Sequence, residues 1–139
     1  MSPSTNLRYL IRPLVLVFLL ISFQILWRGH NLPGGGFIGG LVAGSILSLA
    51  GWALGLQQAR EMLRVSPATL IFVGLGASLA SGLLGYLLGS SIFEGLWISV
   101  PWLGKVGSPL LFDVGIYLTV VGFCVAFAWG LLASEEGTP

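Results

Sequence analysis

Asp113 has the most chemistry to offer in this chain, because it stands inside a long apolar run that starts near Ser108. A carboxylate at the middle of a bilayer costs about 2.5–3.5 kcal/mol on insertion scales and is retained near a function or a partner. A helix beginning at Ser108 would place Asp113 about 7 Å in, shallow enough for partial hydration and a favourable interaction with the helix dipole. Two roles stand open: Asp113 organises its own helix terminus, bonding to a glycine-rich turn on the same face, or it lines an ion path. His30 is the only histidine, and imidazole titrates near neutral pH, which makes it a candidate proton relay at a membrane rim. With no acid beside it in the sequence, a hydrogen bond that holds its own turn is the better-supported role. Asn31 and Glu94 complete the polar candidates.

Gly34, Gly36 and Gly39 fit the Gly-x-Gly-x-x-Gly spacing of dinucleotide-binding turns. The context argues against nucleotide. No strand precedes the motif, the following segment is apolar throughout, and no acid lies about 20 residues on to hold a ribose. No Lys follows, as a phosphate-cradling loop requires. The run from Gly29 through Pro33, Gly34, Gly35, Gly36, Phe37, Gly39 and Gly40 reads instead as a turn of defined shape leading into a helix. The unpaired N–H groups of that helix start offer a docking point for another polar group. Cys124 is the single cysteine, so neither an internal disulfide nor a thiolate metal site is expected. Metal-ligand clusters, paired acids and a supported Ser, His and Asp arrangement are all missing, so neither an enzyme, nor a metal, nor a cofactor is expected.

Helices in lipid must position these groups. The chain is 55% hydrophobic and 8% charged, against about 25% charged in an ordinary soluble domain. Its net charge of +1 provides no field to attract nucleic acid. A bilayer core of about 30 Å needs about 20 apolar residues per helix, and segments at about 9–27, 37–56, 68–88 and 108–133 approach or meet that length. The expectation is an all-α integral membrane protein with four transmembrane helices, one membrane domain over residues 1–139 in a compact bundle. Pro13 is tolerable in the first turn of its helix and would kink it if deeper. Ser66-Pro67 reads as a cap followed by proline at the first helical position. No small-residue cleavage site follows the first run, so an uncleaved helix is preferred to a signal peptide.

Four crossings put both termini on one side, with Arg8, Arg12, Arg60 and Arg64, against Arg28 and Lys105 on the other. The positive-inside rule makes the first side cytoplasmic. The loops at 28–36 and 90–107 and the start of the fourth helix then share the opposite face, together with His30, Glu94 and Asp113. The 90–107 loop carries Phe93, Trp97 and Trp102; it either lies on the headgroups, folds as a small hairpin or covers a neighbouring subunit, and anchoring of its tryptophans at the interface is the favoured reading.

Helices in lipid associate through close backbone approach and hydrogen bonds, and small residues at every fourth position mark the contacts. Gly36, Gly40, Gly44 and Ser48 form one such ridge. The third span has two, Ala77, Ser81, Gly85 and Gly89 beside Gly74, Ser78 and Gly82, and the fourth has Gly122, Ala126 and Gly130. Two ridges on one helix suggest two partners, some of them helices of other chains.

Arg28-Gly29-His30-Asn31, followed by Pro33-Gly34-Gly35-Gly36-Phe37 and Gly39-Gly40, is similar to the signature that the MnhB/MrpB family carries after its first helix, a family of subunits of the multisubunit Mrp-type (Mnh-type) Na+/H+ antiporters. Ser108-Pro109, Phe112-Asp113, Gly115, Tyr117 and Gly122 resemble the start of that family's fourth helix. Leu32 stands where Ala is frequent and Ile116 where Val is usual, changes that alter neither charge nor backbone demands. The resemblance covers roughly Arg8 to Ser134. It implies a small hydrophobic subunit of a hetero-oligomeric complex that exports Na+ in exchange for H+, driven by the proton motive force, in a prokaryotic plasma membrane. It also implies that other membrane subunits are partners and that the chain moves no ion alone. Related modules occur in hydrogenase-like and respiratory complexes, an alternative home; a self-contained homo-oligomeric exporter is a third reading, disfavoured because such carriers place an acid near the bilayer midplane.

Overall fold

The computed structural model describes residues 5–29, 34–89, 91, 95–101 and 104–136. The first helix, α1 (Thr5–Arg28), starts before the apolar run, so Pro13 lies inside it and not in its first turn. The proline leaves the Tyr9 carbonyl without its usual amide partner. The second, α2 (Gly36–Leu54), opens after Gly35 at φ 94° and stops at Gly55 at φ 87°. Only glycine enters that region of backbone space without a steric cost.

Gly55 also divides what hydropathy reads as one span ending at Leu56. A short amphipathic helix, α3 (Leu56–Leu63), follows at once. Ala59 is buried and Leu56, Met62 and Leu63 pack on the core, while Gln57, Arg60 and Glu61 are exposed. That helical spacing is present in the sequence, but over eight residues it is too short to register as a span.

Ser66 caps α4 (Pro67–Leu87) as expected, its hydroxyl accepting from the Thr69 N–H at 3.0 Å with Pro67 at the helix start. The 90–107 segment contains a hairpin, β1 (Trp97–Val100) and β2 (Gly104–Gly107), antiparallel with Trp97 opposite Gly107. Two bonds fasten it to α5 (Ser108–Glu136): the Ser108 N–H donates to the Leu96 carbonyl at 2.9 Å, and the Leu96 N–H donates to Ser108 Oγ at 3.1 Å. At 29 residues, α5 spans about 43 Å, longer than the hydrocarbon core of about 30 Å. Four segments are long and apolar enough to cross a membrane: Tyr9–Arg28, Gly36–Leu54, Leu56–Leu87, whose apolar part is α4, and Ser108–Glu135.

The expected compact bundle is instead a row. α1 packs on α2, α2 on α5, and α5 on α4, so α5 is central and, among the described residues, α4 has α5 as its only substantial partner. In water such a layer would collapse on itself; in lipid, apolar side chains on both faces carry no such penalty, and close packing alone decides the neighbours. The core lies between α2 and α5, where Ala43, Ile46, Leu47 and Ala50 meet Val121, Val125 and Trp129. The Trp129 ring covers Gly51, and its indole N–H donates to the Leu47 carbonyl at 3.3 Å.

Within the chain, both ridges of α4 face the same partner. Gly74, Ser78, Ser81, Gly82 and Gly85 are all buried, because spacings of three and four merge into one stripe on a helix of 3.6 residues per turn. That stripe faces α5: Ser78 Oγ donates to the Phe112 carbonyl at 3.4 Å and Ser81 Oγ to the Ser108 carbonyl at 2.6 Å.

Candidate functional site

The glycine-rich turn is folded against the start of α5, and the fit depends on missing side chains. The Gly35 N–H donates to the Ile25 carbonyl at 3.2 Å, holding the turn to the end of α1. A Cβ on Gly29 would collide with the Gly35 backbone, so the chain leaves α1 and returns to α2 through nearly the same place. A Cβ on Gly36 would run into the Asp113 carbonyl oxygen, and one on Gly35 would stand 3.5 Å from Asp113 Oδ2. The half-buried Asp113 carboxylate therefore lies at the first turn of α2, whose N-cap Gly35 has no side chain to satisfy it. The first N–H groups of α2 lack intrahelical partners and offer donors at that place.

One turn deeper, a hydroxyl pair links three helices. Ser22 of α1, fully buried, donates to the Gly39 carbonyl of α2 at 3.0 Å. Its Oγ also lies 2.7 Å from the Tyr117 hydroxyl of α5. A serine hydroxyl carries one proton, already given to Gly39, so Tyr117 is the donor in the second bond. Gly39 and Gly40 make room: a Cβ on either would press on Ser22 and Tyr117 backbone oxygens at 2.9 and 3.0 Å. Further along, Gly44 lies under Cys124, and the single Ser48 hydroxyl proton is shared between the Gly44 carbonyl at 2.7 Å and the Cys124 carbonyl at 3.2 Å. On the other side of α5, Gly122 meets Pro67 and Ile71 of α4.

Of the residues singled out from the sequence, Gly35 and Gly36 pack on Asp113 and Gly39 and Gly40 on Tyr117, while Gly29 and Gly34 pack on each other, Gly35 and Ile25. Gly44, Ser48, Ser81, Gly85 and Gly122 lie at helix contacts or buried. Phe37 does not join them; it is exposed on the outside of α2. Ala126 and Gly130 are likewise exposed, so among the described residues the α5 ridge contributes only Gly122 to packing within the chain. His30, Asn31, Pro33 and Glu94 lie outside the described residues. Sequence reasoning missed Ser22, although it is the only hydroxyl side chain between Pro13 and Phe23, a signal that a polar partner awaits it on another helix. Among the described residues no group of His, Cys, Asp or Glu could hold a metal ion.

Apolar helices in a row, fastened by glycine contacts and serine-to-carbonyl bonds, define a multi-pass membrane protein whose polar groups hold helices together. Over residues 6–126 the chain matches the domain related to the MnhB subunit of Na+/H+ antiporters, and it belongs to that family. It is 34% identical over 110 residues to a Na+/H+ antiporter subunit of Bacillus subtilis, covering 76% of this chain and 77% of that protein. A putative antiporter subunit mnhB2 of Staphylococcus haemolyticus is 34% identical over 134 residues, 94% of this chain and 95% of that one. The fold is similar to part of the Mrp complex from a Dietzia species, with a TM-score of 0.81 and 30% identity over 94% of this chain. The matched region is 14% of a much longer polypeptide there.

Proposed function

We propose that this chain is a small, non-catalytic subunit of a hetero-oligomeric Na+/H+ antiporter driven by the proton motive force, working only with other membrane subunits. The observation that carries this reading is the match of fold and sequence, over 94% of the chain, to part of the Mrp complex. The site agrees with it: Asp113 is near a helix end, packed on the glycine turn, not at the midpoint of a span. The membrane is a prokaryotic plasma membrane with both termini cytoplasmic, supported by Arg12 of α1 and the α3 helix with Arg60 meeting at one end of the row. Deleting the gene is expected to abolish Na+-dependent proton exchange in everted vesicles while the other subunits are still made; unchanged exchange would overturn the assignment.

Asp113 serves this complex by capping α2 across the helix contact rather than by passing ions. Asp113→Asn keeps an accepting oxygen at the turn, so the complex assembles and exchanges at near-normal rates, whereas Asp113→Leu loses assembly. An assembled Asp113→Asn complex without exchange would place the carboxylate on the ion path instead. Vesicle exchange, normalised to subunit content on immunoblots, separates the two.

A further inference from the structure

At the end of the molecule opposite the glycine turn, the start of α1 and the α2–α3 corner border an open cavity of about 640 Å³. That is within the roughly 300–1,000 Å³ of sites that hold small molecules. Arg12 stands on one wall, and Gly55, Gln57, Gln58 and Glu61 on the other. The cavity is open and mostly polar, with a cation and an anion on facing elements. Among the described residues no ion pair engages either Arg12 or Glu61. Among the described residues α1 and α3 share no extended contact of their own, although Ile11, Val15 and Ala59 belong to one apolar cluster.

Depth identifies the occupant. Arg12 immediately precedes the uninterrupted apolar run of α1, and Leu54 ends that of α2. The cavity therefore lies where hydrocarbon gives way to headgroups, at the level of the lipid phosphates. We propose that it binds the headgroup of a phospholipid bearing a primary ammonium, with Arg12 on the phosphate and Glu61 on the ammonium. The planar guanidinium matches a phosphate's oxygens with paired donors. Gln57 and Gln58 bring amides suited to the ester oxygens. Glu61 sets the selectivity: it attracts an ammonium and disfavours a lipid whose only charge is its phosphate. The bound headgroup bridges α1 to α3 where the protein leaves a gap.

The site requires membrane residence but not antiport, so its test reads lipid rather than exchange. The complex, purified with its partner subunits, is reconstituted in phosphatidylglycerol nanodiscs containing a minor fraction of phosphatidylethanolamine with a photoreactive group near the glycerol. Labelled peptides are mapped by mass spectrometry. Labelling is expected on the start of α1 and on the α2–α3 corner, and is competed by unlabelled phosphatidylethanolamine. Arg12→Gln lowers it roughly tenfold, the scale of a lost hydrogen bond to a charged group; Arg12→Lys retains most of it, and Arg60→Gln, outside the cavity, leaves it unchanged. Glu61→Gln keeps the labelling but lets phosphatidylglycerol compete as well as phosphatidylethanolamine. Equal labelling in wild type and Arg12→Gln would overturn the site, as would displacement by millimolar inorganic phosphate, which would indicate a soluble anion. Cross-linking of the cavity to a peptide of another subunit in place of lipid would also overturn it.

Discussion

Gly36 tolerates no side chain, since the atom a Cβ would strike is the Asp113 backbone oxygen, which cannot rotate away. Gly36→Ala must separate α2 from α5, at a cost of about 1–3 kcal/mol typical of overpacking. Its expected outcome is a lower thermal midpoint of the purified complex, read by loss of the monodisperse peak on size exclusion after heating. The hydroxyl pair below it behaves differently, because its two bonds share one oxygen. Ser22→Ala removes both the donor to Gly39 and the acceptor for Tyr117, at about 1–3 kcal/mol for a buried donor left unpaired. Tyr117→Phe leaves Ser22 bonded to Gly39 and is expected to be milder, about 0.5–1.5 kcal/mol. The double variant should fall short of the sum, since removing Ser22 already breaks the bond that Tyr117→Phe removes. The same thermal assay checks the cycle, and strict additivity would show the two hydroxyls to be uncoupled.

Each element is bounded by a local device. α2 ends where Gly55 adopts φ 87°, and α3 ends at Arg64 in the left-handed region at φ 57°. Ser66 then starts α4 with a side-chain bond to the Thr69 N–H, and the Ser66 and Thr69 hydroxyls lie 2.7 Å apart. Ser66→Ala removes that cap, worth about 0.5–2 kcal/mol. The loss should be confined to the first turn, so amide hydrogen exchange is expected to quicken at Thr69 and Leu70 while the buried middle of α4 keeps its protection. Ser108, the first residue of α5, bonds outward instead: its side chain accepts from the Leu96 N–H while its own N–H donates to the Leu96 carbonyl. The hairpin is thereby tied to the α5 terminus that carries Asp113.

At the scale of the whole molecule, the row leaves its two flanks unequally held. α1 is joined to α2 and through Ser22 to α5, whereas α4 relies on α5. Its seam is narrowest at Gly115, where a Cβ would meet the Ser78 hydroxyl and the Gly74 carbonyl. Gly115→Val is expected to release α4 while sparing the α1–α2–α5 contacts. Limited trypsin digestion of the complex should then cleave after Arg64, in the exposed connection ahead of α4, several times faster than wild type, by the rise in local opening. Unchanged cleavage would mean that other subunits clamp α4 in place. Large apolar side chains exposed along every span, Phe72, Leu79, Phe123 and Phe127 among them, belong to surfaces in contact with lipid or partner helices.

Hydropathy and spacing determined that four apolar segments cross a membrane, that Ser66-Pro67 starts one of them, and that Gly36, Gly40, Gly44, Gly74, Gly82, Gly85 and Gly122 are packing positions, because each depends on residue type and local period alone. The approach of the glycine turn to Asp113 was anticipated as one of two roles, since a helix start without a capping side chain and a shallow acid on one face are complementary. Only the tertiary structure decided the rest: the row in place of a bundle, α5 as the main partner of α4 among the described residues, the Ser22 and Tyr117 bond across 95 positions, and α3 lining the open cavity with Arg12. Helix order is set by which backbones can approach within contact distance, a property of pairs of surfaces in three dimensions, and a one-dimensional pattern of small and apolar residues is compatible with several such pairings.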